Sequence, residues 1–250
     1  MHPRLHLRFG LSRRRATVLA ALLVALIVYG AAAHGLPGLP SGVDVAVHSL
    51  VVFPTFAAAI WLALPLARAP VRPLLVITAV AGILALGLTL LGAGAAGNVA
   101  KLAFYALVGF SFLAFFEEAW WVALVAVLVP WVDVWSVAAG PTEYVVEQQP
   151  GLFERISVAL PSPGDTTTVN IGPPDVLFFA LFLAAADRFG LRVRGTWIAM
   201  TGLLAATLVL VWAWEDVGGL PALPAVCLGF LLPNVDLLWR GIRRAEAADV

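Results

Sequence analysis

Two aspartates stand where an apolar, membrane-length helix has least use for them. Asp133, flanked by Trp131, Val132, Val134 and Trp135, lies four residues beyond the centre of an apolar run over 119–139. Asp175 opens the next run, ahead of Val176 to Ala186. An acid at the centre of a membrane helix costs about 2.5–3.5 kcal/mol on insertion scales, so it marks a functional or pairing site. The two runs are consecutive and therefore antiparallel, and both acids lie toward the ends joined by the intervening loop. At about 1.5 Å of rise per residue their depths match to within about a turn. Two carboxyls sharing a low-dielectric site cannot both ionise, and the pair holds one proton. The charged member can accept a proton from a water while the neutral member hydrogen-bonds a carbonyl, giving a tetrahedral gem-diol without an acyl-enzyme. Two intramembrane acids equally describe a proton- or ion-coupled transporter, or a hydrogen bond that only pairs helices.

The elements that would position these acids follow from composition. The chain has 250 residues, 62% hydrophobic and 12% charged, with a mean hydropathy of +0.97. Soluble domains are about half apolar and a quarter charged, so the chain belongs to the membrane class. Apolar runs and their polar or Gly/Pro breaks predict eight helices, at 15–34, 44–67, 73–93, 101–116, 119–139, 172–190, 195–214 and 221–240. Each approaches the roughly 20 residues that cross a hydrocarbon core about 30 Å thick. The expected fold is therefore all-α: a single polytopic transmembrane bundle over 1–250, with helices 1–4 in 1–118 and helices 5–8 in 119–250. The one long connection is a loop at about 140–171.

Arginines cluster before the first run (Arg4, Arg8, Arg13 to Arg15), after the second (Arg68, Arg72), after the sixth (Arg188, Arg192, Arg194) and after the eighth (Arg240, Arg243, Arg244). With eight spans these regions share one side. The positive-inside rule then makes both termini cytoplasmic and puts the 140–171 loop outside the cell membrane. Arg13 to Arg15 ahead of an apolar run ending at Ala31-Ala32-Ala33 also fits a cleavable signal peptide; its nineteen apolar residues favour an uncleaved first helix. Trp120, Trp121, Trp197, Trp212, Trp214 and Trp239 fall near predicted helix ends and read as lipid-facing anchors.

The other acids lie near helix ends or in loops: Glu117 and Glu118, Glu215 and Asp216, Asp187 beside Arg188, and Asp236 four before Arg240 at salt-bridge spacing. His34 reads as interfacial, His48 as hydrogen-bonded within the bundle, Asn234 as a polar helix–helix contact, and Cys227 as a small buried hydrophobe. A lone cysteine cannot form an intramolecular disulfide or a cysteine-based metal cluster. Zero net charge leaves no field to gather nucleic acid. The lipid bilayer is the one partner that composition specifies; no partner subunit is indicated.

Local motifs add a resemblance. Trp131-Val132-Asp133-Val134-Trp135-Ser136-Val137, followed by Gly140-Pro141 and Val145-Val146-Glu147, resembles the first catalytic segment of presenilin. Ile171-Gly172-Pro173-Pro174-Asp175-Val176-Leu177-Phe178-Phe179 looks like the second, the Gly-x-Gly-Asp segment. Leu220-Pro221-Ala222-Leu223-Pro224 is similar to the Pro-Ala-Leu-Pro element that opens the last presenilin helix. The three occur in the family's order, with one helix between the second and third, and the resemblance covers roughly residues 101–236.

The resemblance to intramembrane aspartyl proteases of the presenilin and signal-peptide-peptidase type implies an aspartic endopeptidase that hydrolyses peptide bonds in transmembrane segments, with no metal or organic cofactor. Asp133 and Asp175 would be the catalytic pair; Gly172, Pro173, Pro174, Pro221, Ala222, Leu223 and Pro224 would shape the site and hold an unwound substrate segment. A helical peptide bond is shielded, and the backbone groups freed by unwinding need partners inside the protein; strand addition would supply them. The inferred orientation is similar to that of signal-peptide peptidase and implies type II transmembrane substrates. Val132 stands where the family usually has tyrosine, and Pro174 where it has glycine. The chain also predicts eight spans against the family's nine. These departures keep open a non-catalytic homologue that binds membrane helices as a receptor or chaperone. A transporter is the third alternative, although the sequence has no clear internal inverted repeat.

Overall fold

The computed structural model describes residues 10–139, 150–164, 168–214 and 221–248. Helix α1 (Arg13–Ala32) starts at Ser12, whose hydroxyl accepts from the Arg15 N–H at 3.3 Å. Helix α2 occupies Ser41–Arg68, with a wider π-helical turn at His48–Val52 and a tighter last turn at Leu64–Arg68. Prolines precede both α2 and α3 (Val71–Leu90), where an extended pre-helical residue is what proline's fixed φ allows. Helix α4 (Gly94–Phe115) follows a turn that needs Gly92 at φ 69°. Next come α5 (Ala119–Ala139), the short α6 (Pro150–Ile156), strands β1 (Val158–Pro161) and β2 (Thr168–Ile171), and α7 (Pro173–Arg188). Gly190, at φ 67°, turns the chain into α8 (Val193–Ala213). The last span is broken: α9 (Leu223–Leu231) passes through a tight turn at Leu232–Asn234, around Pro233, into α10 (Val235–Ala248).

The helical bundle is thus as the hydrophobic pattern requires, and seven of the described helices are long and apolar enough to cross a membrane. The sixth predicted span is the exception. Helix α7 has only 16 residues, about 24 Å at 1.5 Å per residue. The fourth helix begins at Gly94, ahead of the expected 101, because Asn98 and Lys101, which interrupt the apolar run, are absorbed by contacts inside the protein. The expected 140–171 loop is not loop throughout. It contains α6 and an antiparallel hairpin in which Val158 pairs with Ile171 and Pro161 with Thr168. The motif residues Gly140, Pro141, Val145 to Glu147 and Leu220, and the acids Glu215 and Asp216, lie outside the described residues.

Helix α7 is the axis of the bundle. From Phe179 to Ala186 its residues are at most 3% exposed, because a helix that is apolar all round has no polar face to give to solvent. It packs on α4, α8 and α9. The closest approaches are made by glycines. A Cβ on Gly109 of α4 would collide with the Leu177 carbonyl and meet the Ala180 methyl at 3.0 Å. A Cβ on Gly229 of α9 would lie 2.5 Å from the Met200 Cα on α8. Small residues at such crossings let backbones approach and gain dispersion contacts. Phe182 of α7 stacks on Phe230 of α9 with centroids 4.8 Å apart, and Cys227 is buried beside them as expected.

Ion pairs tie one end of the bundle. Arg68 makes a two-pronged pair with Asp187, at 2.7 and 2.6 Å, and Arg188 donates to the Leu113 carbonyl at 3.0 Å. Asp236 does not pair with Arg240 at helical spacing. It binds Arg192 through two contacts, one of them 2.9 Å, because the tight turn at Leu232–Asn234 carries Asp236 toward the α7–α8 connection. Asn234 is buried there and is the helix–helix contact its type suggests: its amide donates to Thr196 Oγ1 at 2.7 Å, and its carbonyl accepts from the Arg192 N–H at 2.9 Å. Trp197 departs from the lipid-anchor expectation. Its indole N–H donates to the Ala57 carbonyl at 2.9 Å, and its ring meets Trp61 edge-on. Trp121, Trp212, Trp214 and Trp239 are exposed, as anchors would be.

Substituting Gly229 by valine places a branched side chain against the α8 backbone. The expected outcome is a destabilisation of about 1–3 kcal/mol, read as a lower Tm of purified protein in detergent; an unchanged Tm would contradict the α8–α9 crossing.

Candidate functional site

The hairpin sits at the end of the bundle opposite the ion pairs and delivers the chain into α7. Its near side is held by one face of α4. Asn98, Lys101 and Tyr105 recur at i, i+3 and i+7, the spacing of a single helical face. Asn98 accepts from the Ala159 N–H at 3.3 Å. Lys101 is buried, and its Nζ donates to the carbonyls of Arg155, at 3.1 Å, and Ser157. The Tyr105 hydroxyl donates to the Ile156 carbonyl at 2.6 Å. The far side is held by α1 and α2: Tyr29 donates to the Pro161 carbonyl at 2.9 Å, Ser162 to Asp44 at 3.0 Å, and Gly164 to the Ala33 carbonyl at 2.9 Å. His48 is fully buried with Nδ1 2.9 Å from the Asp44 carbonyl, as expected of a hydrogen-bonded bundle histidine. Irregular backbone at a bundle end survives only when each polar group has a partner, and these side chains supply them.

The segment 172–175 follows directly from β2. Gly172 is extended (φ −65°, ψ 149°), Pro173 and Pro174 are the first helical residues, and Asp175 closes the first turn. The carboxylate of Asp175 turns back to accept the Gly172 N–H at 3.1 Å, one half of the reciprocal bonding of a capping box. Glycine at 172 is a matter of room: a Cβ there would stand 3.0 Å from Asp175 Oδ2. Two prolines in succession forfeit nothing here, since the first four N–H groups of a helix have no partner within it. Pro174 is exposed and outside the packed core.

Asp133 reaches the same region from α5. Trp131, Val132, Val134 and Trp135 are all exposed on the outer surface of the bundle, and Asp133 between them is half-buried. Pro130, inside α5, has no N–H to bond the helix one turn back, so the ladder is already broken three residues before the acid. Asp133 Oδ2 accepts the backbone N–H of Leu223 at 3.1 Å. Leu223 and Pro224 form the first helical turn of α9, with Ala222 capping it and Pro221 before it. The Pro-Ala-Leu-Pro element is therefore half loop and half helix start, and its one N–H facing the site is spent on Asp133. The carboxyls of Asp133 and Asp175 lie within electrostatic reach of each other, and the buried Cys227 follows one turn beyond Leu223.

The structure thus brings Asp133, Asp175, Gly172, Pro173 and Leu223 to one locus, with Pro221, Ala222 and Pro224 at its rim. Beside it lies an apolar pocket with Asp175 on its wall, bounded by α2, α4, α7 and α8. Sequence reasoning did not pick out the 98/101/105 face, although a lone lysine in an apolar run is a usable signal. Thr201, which lines the pocket from α8, carries no sequence signal. Comparison with protein-family models, with curated proteins and with solved structures returns no match to this chain.

Two outcomes test this geometry. In a Cys227→Ala background, Asp133→Cys with Leu223→Cys should be bridged by a short bifunctional thiol cross-linker, read as loss of both maleimide-reactive thiols; two thiols that react freely yet are never bridged would contradict the α5–α9 contact. Lys101→Met should leave the bundle folded and accelerate amide hydrogen exchange across Val158–Pro161 by about tenfold or more; unchanged protection would mean that Lys101 does not hold the hairpin.

Proposed function

We propose that the chain is an intramembrane aspartyl protease of the presenilin and signal-peptide-peptidase type, cleaving transmembrane segments with Asp133 and Asp175. The observation that carries this reading is the hydrogen bond from the Leu223 N–H, a motif residue of the third element, to the Asp133 carboxylate at 3.1 Å, with Asp175 of α7 within electrostatic reach of Asp133. Motifs separated by some ninety residues converge on one point, which helix pairing alone does not require.

The chemistry needs one proton on the pair. The charged carboxylate takes a proton from a water as its oxygen attacks the scissile carbon, and the protonated carboxyl donates to the carbonyl oxygen. The gem-diol that results collapses as the C–N bond breaks and the amine leaves with a proton from the pair. Each aspartate has Oδ2 fixed by a backbone N–H, from Gly172 or Leu223, which orients both carboxyls before substrate arrives. The two-stranded sheet leaves one edge of each strand outside the ladder, and β2 ends at Ile171, one residue before Gly172. An unwound substrate can add to such an edge and have its freed backbone groups satisfied. With the arginine-rich end cytoplasmic, the locus lies toward the outer face, and the substrates are type II membrane helices.

One observation favours a second reading, a non-catalytic protein that binds membrane helices. Both Oδ2 atoms are already used to build helix starts, and Val132 and Pro174 depart from the family's pattern. Purified protein in liposomes with a model type II transmembrane substrate separates the two. Asp133→Ala and Asp175→Ala should each lower cleavage, followed by mass spectrometry, by at least about 10³-fold with folding intact. Tight helix binding without cleavage by the wild type would select the second reading.

A further inference from the structure

The arginine-rich end of the bundle holds a cavity of about 330 Å³, within the range of roughly 300–1,000 Å³ that small-ligand sites occupy. Its walls are the start of α5, the α7–α8 turn and α10. Glycines keep it open: a Cβ on Gly190 of the turn or Gly241 of α10 would meet nothing within 4 Å. Its charged residues are Glu118, just ahead of α5, and Arg240 of α10. Neither side chain has a partner among the described residues, and they are not paired with each other. The neighbouring charges at this end are spoken for. Arg68 holds Asp187, Arg192 holds Asp236, and Arg188 donates to the Leu113 carbonyl while lying over the Phe189 ring. An acid and a base that share one cavity and stay apart are each available to the opposite charge of a ligand.

We propose that this cavity binds the headgroup of a zwitterionic membrane phospholipid, a phosphodiester joined to a primary ammonium, with Arg240 on the phosphate and Glu118 on the ammonium. The planar guanidinium matches two phosphate oxygens at once. Ala119 and Trp120, also in the wall, open a 21-residue helix, whose leading N–H groups have no helical partner and favour an anion. A headgroup with a phosphate and no cation would satisfy Arg240 and leave Glu118 facing negative charge. The source is a lipid because the cavity sits at the membrane boundary. The last apolar span ends at Gly241 in its wall. Trp120 stacks on Trp121 with centroids 3.9 Å apart, and Trp239 is exposed, as aromatic rings at headgroup level are. Leu237 and Leu238 give the glycerol and first methylenes an apolar wall, while the volume leaves the acyl chains in the bilayer. The site lies at the end of the bundle opposite the hairpin and does not depend on the aspartates.

The test titrates full-length, delipidated protein in detergent with phosphatidylethanolamine, phosphatidylglycerol and soluble phosphoethanolamine, reading Kd by native mass spectrometry. Phosphatidylethanolamine should bind about tenfold tighter than phosphatidylglycerol, and an equal concentration of phosphoethanolamine should leave it bound. Glu118→Gln should abolish the preference between the lipids, and Arg240→Gln should weaken both about tenfold. Gly241→Leu puts a side chain into the open space and should weaken phosphatidylethanolamine binding without lowering Tm. Arg194→Gln is the control: it removes an exposed arginine of the same end that is outside the cavity wall, and it should leave Kd unchanged. Phosphatidylglycerol bound as tightly as phosphatidylethanolamine by the wild type would overturn the proposal. So would an Arg194→Gln loss equal to that of Arg240→Gln, which would mean a diffuse basic face. Displacement by equimolar phosphoethanolamine would overturn the lipid in favour of a soluble zwitterion. No arm of the experiment reads cleavage, so its failure leaves the protease reading standing.

Discussion

Everything near the candidate site depends on the enclosure of α7. A 16-residue helix is too short to cross a hydrocarbon core on its own, and α7 is apolar on every face, so it is stable only when other helices surround it. That enclosure is made by close backbone approach at Gly109 and Gly229 and by the Phe182–Phe230 stack. Between helices in lipid, dispersion and fit replace the hydrophobic drive available in water. The shortness of α7 has a positional consequence. Its first turn, with Asp175, begins below the end of the bundle, and the space above is filled by the hairpin. A longer helix would have carried the acid out toward solvent.

The hairpin is the second constraint, and it is met by polar chemistry. Strands and turns at the end of a membrane bundle have backbone groups that helices would have satisfied internally. Here α4 contributes Asn98, Lys101 and Tyr105 along one face, and α1 and α2 contribute Tyr29 and Asp44 from the other side. The placement of residues 172–175 is therefore inherited from two sources, packing beneath and hydrogen bonding above. Lys101 is a costly residue to bury, and the two carbonyls it binds belong to the chain entering β1.

On the proposed reading the aspartates do two jobs at once. Asp175 completes the first turn of α7 through the Gly172 N–H, and Asp133 accepts the N–H at the start of α9. Each bond also sets the direction of a carboxyl. Structural capping and orientation for chemistry are compatible, because each uses one oxygen and leaves the other. The prolines at 173 and 174 fit the same logic: they stiffen a helix start whose N–H groups had no helical partner. Pro174 is accommodated at the exposed rim of the turn.

By itself the sequence determined the helical class, the eight apolar helical segments and the residues worth watching. Apolar run length and arginine placement depend only on local composition, so the eight segments were legible, and acids within apolar runs stand out at Asp133 and Asp175. It did not determine where the fourth helix begins, the hairpin within 140–171, or the partners of Asp236, Asp187 and Trp197. Each of those depends on a residue distant in the chain: Asn98 and Lys101 on the 155–159 segment, Asp236 on Arg192, Asp187 on Arg68, Trp197 on Ala57. Thr201 is the clearest case. Its type and spacing match those of threonines that bond their own helix, and only the packing of α2, α7 and α8 around it decides that its hydroxyl lies buried without a partner on a pocket wall. Local patterns encode what a segment is, because propensity and hydropathy are summed along the chain; tertiary packing decides what each polar atom meets, because that depends on neighbours which chain order does not specify.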